Sequence, residues 1–251
     1  MKKIGYLLIL VSFFSKGQSD TVYSINNKQI KESLREGTNQ YLVFIQNKKK
    51  VKQTGAYIWS RTIKFKKFNS KDVIEISQKW YSSDSARYRY VYSLVERNTL
   101  LPIYHRTWTK QLGIEAYDFY PDKIVGSDSV SENSKKGFSI TLSHPSLNWE
   151  IDLETFGLLQ LKPNKSFAIN FYHPGAKGGP GFYEYKVVGD EVLTGSDGVK
   201  VPCWKLKINY SEKSWAVFYI SKKKKEVVKM EEDFGVGVRY KVKLPSSITV
   251  L

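Results

Sequence analysis

One cysteine among 251 residues excludes an intramolecular disulfide. Cys203 stands beside Trp204 in an alternating stretch. It reads as a small buried apolar side chain, because a nucleophilic thiol would need a histidine partner and none is near it in sequence. Histidine is almost as scarce: His105, His144 and His173 are the full set, and no two share metal-ligand spacing on one element. No G-x-S-x-G is present, so a serine hydrolase elbow is excluded. The glycine-rich stretch His173 to Gly181 carries a lysine, as phosphate loops do. It joins two strand patterns and opens no helix, so the helix-terminal amide cradle is lacking. No cofactor motif remains, and none is expected. After the N-terminus no apolar run is long enough to cross a bilayer as a helix, so the mature chain is expected to be soluble.

The N-terminal exception is short. Lys2 and Lys3 precede the apolar run Ile4 to Phe14, followed by Ser15-Lys16-Gly17. A basic start, an apolar middle and small residues ahead of the cut describe a secretory signal peptide over 1–17, cleaved near Gly17. The expected location is therefore periplasmic or secreted. Acidic residues are also few, 24 against 40 lysines and arginines, for a formal charge of +16. The excess favours anionic partners such as lipid head groups, acidic glycans or an anionic envelope surface. Nucleic acid is not expected, given export and the lack of a binding motif of that class.

What is abundant is period-two alternation. Ile63 and Phe65 oppose Lys64 and Lys66. Trp204, Leu206 and Ile208 oppose Lys205, Lys207 and Asn209. Val236, Val238, Tyr240, Val242 and Leu244 oppose Arg239, Lys241 and Lys243. Trp215 to Ile220 is apolar on both faces, which predicts a central strand. Short turns between such runs indicate an antiparallel sheet or barrel. Within 18–251, taken as one β-rich domain, residues 18–39 form a polar lead and 245–251 a tail. The helix signal begins at Asn148, an N-cap candidate, with Glu150, Asp152 and Glu154 suited to the helix dipole. Its apolar residues run from Trp149 to Leu161, and Pro163-Asn164 stops it. Gly157 costs roughly 1 kcal/mol of helix propensity, so a close approach to the sheet is the simplest reason for it.

Two surfaces are candidates for function. Aromatic and apolar residues are numerous enough to line a groove for an apolar or amphipathic ligand such as an acyl chain: Tyr88 and Tyr90 in one strand, Trp149, Leu153 and Phe156 on the helix, and Phe171, Tyr183 and Tyr185 downstream. Ordinary core beneath the helix accounts for the same pattern, though the tyrosines bring polar tips. The second surface is cationic. Lys48, Lys49, Lys50, Lys52, Lys64 and Lys66, with Arg61, Lys67 and Lys71, fill a stretch with no acid between Gly37 and Lys71. An anionic-surface contact and a solvated sheet face both fit.

Residues from about Tyr92 to Leu244 resemble the DUF3108 family of exported bacterial proteins. The likeness is carried by Leu100-Leu101-Pro102, Tyr117-Asp118-Phe119, Leu153 to Leu161 with Lys162-Pro163-Asn164, Tyr185 to Gly189, Cys203-Trp204-Lys205 and Val228-Lys229-Met230. The family favours glycine where Asn164 stands, and asparagine tolerates the same left-handed backbone. The resemblance implies a mainly β single domain, a curved antiparallel sheet or half-barrel with one covering helix, similar to periplasmic lipoprotein carriers. It implies no catalytic residues. The expected role is non-enzymatic binding of an amphipathic ligand in the sheet, with an envelope-assembly or surface interaction module as the alternative.

Overall fold

The structure, a computed structural model, describes residues 19–48, 53–195 and 198–245. The expected signal peptide, its cleavage point, Lys49, Lys50, Lys52 and most of the expected tail lie outside them. β1 (Ser19–Val22) leads into α1 (Asn27–Ser33). A run of antiparallel strands follows: β2 (Gly37–Asn47), β3 (Gln53–Phe68), β4 (Lys71–Ser82), β5 (Arg89–Glu96), β6 (Pro102–Thr109), β7 (Gly113–Phe119), β8 (Lys123–Gly126) and β9 (Ser139–Thr141). β10 (Leu147–Asn148) precedes a 3-10 turn (Trp149–Ile151) and α2 (Asp152–Leu158). The second run is β11 (Ser166–Tyr172), β12 (Gly181–Thr194), β13 (Lys200–Ser211), β14 (Ser214–Ser221), β15 (Val227–Asp233) and β16 (Gly237–Lys243).

All the strands belong to one sheet. β16 pairs antiparallel with β2 and so joins the two runs. One edge is β9. At the other, β1 and β10 lie parallel along successive halves of β11. The sheet remains open rather than closing into a barrel, with two short helices. This is the expected mainly β class, and β14 is the expected central strand, buried over most of its length between β13 and β15.

Register defines the inner face. Trp59 pairs with Trp80, Arg61 with Gln78 and Ile63 with Ile76 across β3 and β4. Tyr185 pairs with Ile208, and Leu206 with Phe218, in the second run. Every residue of α2 is buried. Phe156 meets Tyr185, Phe218 and Phe171 with ring centroids 4.9, 4.6 and 6.2 Å apart. These rings come from the second run, and Arg61 of β3 reaches Glu154 from the first, so strands of both runs pack against the helix. Burying one such aromatic contributes about 2 kcal/mol, and this packing holds a helix too short to be stable alone.

The helix is shorter than its sequence pattern. Asn148 does cap, its side chain accepting from the Glu150 amide, but the turn it starts is 3-10. Leu159 is already extended, and Leu159 and Leu161 reach the core as extended chain. Gly157 makes the expected close approach: a Cβ there would stand 2.2 Å from the Lys225 carbonyl oxygen in the β14–β15 turn. Asn164 has φ +60°, the left-handed backbone expected of it. The lead is more than polar chain, since Ile25, Ile30 and Leu34 join the main core.

Candidate functional site

The inner face carries charge where the pattern suggests only core. Arg61 has the same strand parity as Ile63 and Phe65, so it points inward with them and is 2 % exposed. It grips the Glu154 carboxylate of α2 with two nitrogens, Nε at 3.1 Å, and donates to the Glu150 carbonyl at 3.1 Å. Gln78 donates to the same carbonyl at 2.6 Å and accepts from the Trp59 indole at 3.1 Å. Arg89 of β5 binds the Glu150 carboxylate at 2.8 Å. Burial opposes the charge on Glu150, but Arg89 and His105 outweigh it and hold the carboxyl below its usual range. Counting Arg61 with the cationic surface is corrected by this geometry: it is an internal anchor for the helix.

Beyond these pairs stand Lys241 and Asp152. The Lys241 ammonium lies 4.3 Å from the Trp59 ring. Burial lowers its amine to about 8, with Asp152 opposing, and burial raises the Asp152 carboxyl. Trp149 stacks on His173 at 4.1 Å and meets Tyr183 edge-on at 4.4 Å, which closes the inner face at that end.

A cleft opens between α2 and the sheet, at the end nearer α1. It measures about 490 Å3. Tyr41 and Ile63 from the sheet and Leu153 and Leu158 from the helix give its floor apolar side chains, and Glu154, already paired with Arg61, stands among them. Its rim includes Lys223, Lys224 and Lys225 of the β14–β15 turn, all exposed and, among the described residues, held by no ion pair. The acids nearby are engaged. Glu226 binds Lys243, Glu36 accepts from the Phe65 amide at 2.6 Å, and Glu32 pairs with Lys28 at 3.9 Å.

The eight expected groove residues do not form one groove. Tyr88 and Tyr90 lie on the outer face with Tyr81, Trp108 and Arg106. Phe156, Phe171 and Tyr185 are core, and Trp149 and Tyr183 sit together at the far end. Leu153 alone lines the cleft. On the cationic side, Lys66 pairs with Glu75 of β4 and donates to the Tyr92 hydroxyl at 2.9 Å, and Lys48 reaches Asp233 at 3.2 Å. Lys64 is exposed opposite Glu75. Carboxylates from neighbouring strands thus answer much of that stretch.

The histidines fall in different settings. His105 is buried between Ser93 (3.0 Å), Thr107 (3.0 Å) and Asn148 (3.1 Å), and burial lowers it to about 4. A serine and a histidine at bonding distance would suggest a nucleophile, but this pair has no access from solvent and instead ties β5, β6 and β10 together. His144 lies against Tyr23 at 5.2 Å. Cys203 is buried, as expected, and its thiol is pushed up to about 11 by burial. Among the described residues no cluster of His, Cys, Asp or Glu could hold a metal ion, and no helix is long and apolar enough to cross a membrane.

The family described as "Protein of unknown function (DUF3108)" matches residues 40–243, most of the chain. The chain belongs to the DUF3108 family. That span takes in most of β2, all of β3 to β16 and the cleft floor, and it leaves β1 and α1 outside. Among solved structures, this DUF3108 chain is similar to a DUF1329 family protein from Desulfovibrio piger, at 10 % identity and TM-score 0.30, with 87 % of each chain covered. No curated protein matches it.

Proposed function

We propose that this DUF3108 chain is an exported, non-enzymatic binding protein for an anionic amphiphile. Its apolar chain lies on Tyr41, Ile63, Leu153 and Leu158, and its acidic head meets Lys223 to Lys225. The observation that carries the reading is the cleft itself: a volume of about 490 Å3, an apolar floor and uncommitted lysines on one rim. That volume lies within the roughly 300–1,000 Å3 of small-molecule sites. The N-terminal pattern supports export. A membrane or glycan contact through Lys48 to Lys66 has less to rest on, since Lys48 and Lys66 already face acids.

The test is titration with dansyl-labelled undecanoic acid, followed by dansyl emission. Wild type is expected to give a saturable blue shift. Lys223→Glu with Lys224→Glu weakens it about tenfold, the equivalent of roughly 1.4 kcal/mol. Ser33→Trp, placed to fill the cleft, removes it. The corresponding dansyl alcohol responds to Ser33→Trp but little to the lysine changes. A shift indifferent to both variants, or no shift at all, sinks the proposal.

A further inference from the structure

A second cavity, of about 350 Å3, shares no residue with the first. It lies where the β3–β4, β5–β6 and β7–β8 turns meet the segment between β9 and β10. Leu101, Ile103, Phe119 and Leu142 supply apolar wall, and Pro102, Pro121 and Pro145 supply backbone. Each proline fixes its φ and has no N–H, so this wall resists collapse and presents fewer backbone donors to the space. Phe68 and Tyr120, 40 % and 47 % exposed, carry the apolar lining out onto the surface.

One polar group in this lining is out of place. Ser146 is 3 % exposed, and its hydroxyl has no hydrogen-bond partner. A buried hydroxyl left without a partner is costly, by about 1–3 kcal/mol. Its neighbours are otherwise matched: the Pro145 carbonyl accepts from Asn170 at 2.8 Å, and Glu96 accepts from Thr99 at 2.7 Å. A ligand oxygen in the cavity would complete the set. The charged groups on the lining are Lys71 and Glu96, one of each sign, so the local field favours a neutral molecule. The lysine-rimmed cleft selects in the opposite way.

We infer that this cavity is a second binding site, for a compact, uncharged apolar molecule with a single carbonyl oxygen that accepts the Ser146 hydroxyl. The inference does not depend on the amphiphile reading, since the walls, the donor and the charge preference differ. A suitable probe is 6-propionyl-2-dimethylaminonaphthalene, a neutral fluorophore with one ketone. Its emission moves to shorter wavelength in apolar surroundings and to longer wavelength when the ketone accepts a hydrogen bond.

Titrated with the full chain, it is expected to bind saturably with blue-shifted emission. Ser146→Ala weakens binding about fivefold and moves the bound emission further to the blue, because the ketone loses its donor. Ile103→Trp, at a half-buried wall position, weakens binding at least tenfold, with far-UV circular dichroism checking the fold. Lys223→Glu with Lys224→Glu changes nothing here, which separates this site from the cleft. The inference is overturned if wild type shows no saturable signal, or if the lysine variant alone removes it. It is also overturned if Ser146→Ala leaves both affinity and bound emission unchanged.

Discussion

Removing Arg61 is the sharpest test of how the helix is held. Arg61→Met keeps a long apolar stem on β3 but leaves Glu154, with 7 % of its side chain exposed at the inner wall of the cleft, without its ion-pair partner. Breaking a buried ion pair from one side costs about 3–5 kcal/mol, because the remaining charge is uncompensated. The Glu150 carbonyl loses one of its two donors as well but keeps Gln78, so little is added there. A loss of about 4 kcal/mol is a large share of the roughly 5–15 kcal/mol that stabilises a typical domain. In a chain of this size it lowers Tm by about 8–16 °C. The double variant Arg61→Met with Glu154→Leu removes both charges and is expected to recover most of the loss, since an apolar pair of similar volume is often no worse than the ion pair. Equilibrium urea unfolding followed by tryptophan emission measures both, with Trp59 beside the altered site. A single-variant loss below about 1 kcal/mol, as for an exposed pair, would falsify the internal-anchor account. So would a double variant as unstable as the two single losses added together.

Two further outcomes follow from the same core. Gly157→Ala forces a methyl group into the Lys225 carbonyl, so helix and turn must separate; a loss of several kcal/mol in urea unfolding is expected, with weaker dansyl-fatty-acid binding, and a neutral result would show that the contact is slack. Lys241 is protonated less readily in the fold than in the unfolded chain, so the unfolded state binds more protons between about pH 8 and about pH 10.5 and wild-type stability rises with pH across that window. The gain, with Asp152, Glu232, Arg61 and Arg239 all acting on the amine, is at most about 3 kcal/mol; Lys241→Met is expected to flatten the rise, and equal slopes in the two proteins would refute the assignment.

The sheet was legible because its residues alternate, and alternation survives without knowledge of partners. Trp215 to Ile220, apolar on both faces, identified its own central place. Gly157 announced a close approach because a glycine inside a buried helix has little other use. Arg61 was misplaced for an instructive reason. Lysines surround it in sequence, and their charge outweighed a parity it shares with Ile63 and Phe65; the period-two rule applied strictly would have turned it inward. Leu159 and Leu161 continue the apolar pattern of the helix, but a buried extended chain satisfies that pattern equally well, so the helix end could not be read from hydrophobicity. The cleft was hidden more deeply. Its parts come from α1, β2, β3, α2 and the β14–β15 turn, and Lys223 to Lys225 look like any charged turn until the helix is placed beside them. Ser146 carries no local signal at all, since an unpartnered hydroxyl is defined by what surrounds it.

On the amphiphile reading proposed above, the contact between Gly157 and Lys225 has a consequence for how fast the ligand is captured. The turn that carries the rim lysines is fastened by Ser221, which accepts from the Lys225 amide at 3.0 Å and donates to the Glu226 carbonyl at 2.9 Å. The helix backs the same turn at Gly157. Such a rim has no folding step to complete when a ligand arrives, so little ordering entropy is charged against binding. Capture should then follow a single bimolecular phase, linear in ligand concentration, with a rate set by diffusion and by the field of three lysines. Added salt should slow arrival far more than departure, because screening acts on the approach and the apolar floor governs the escape.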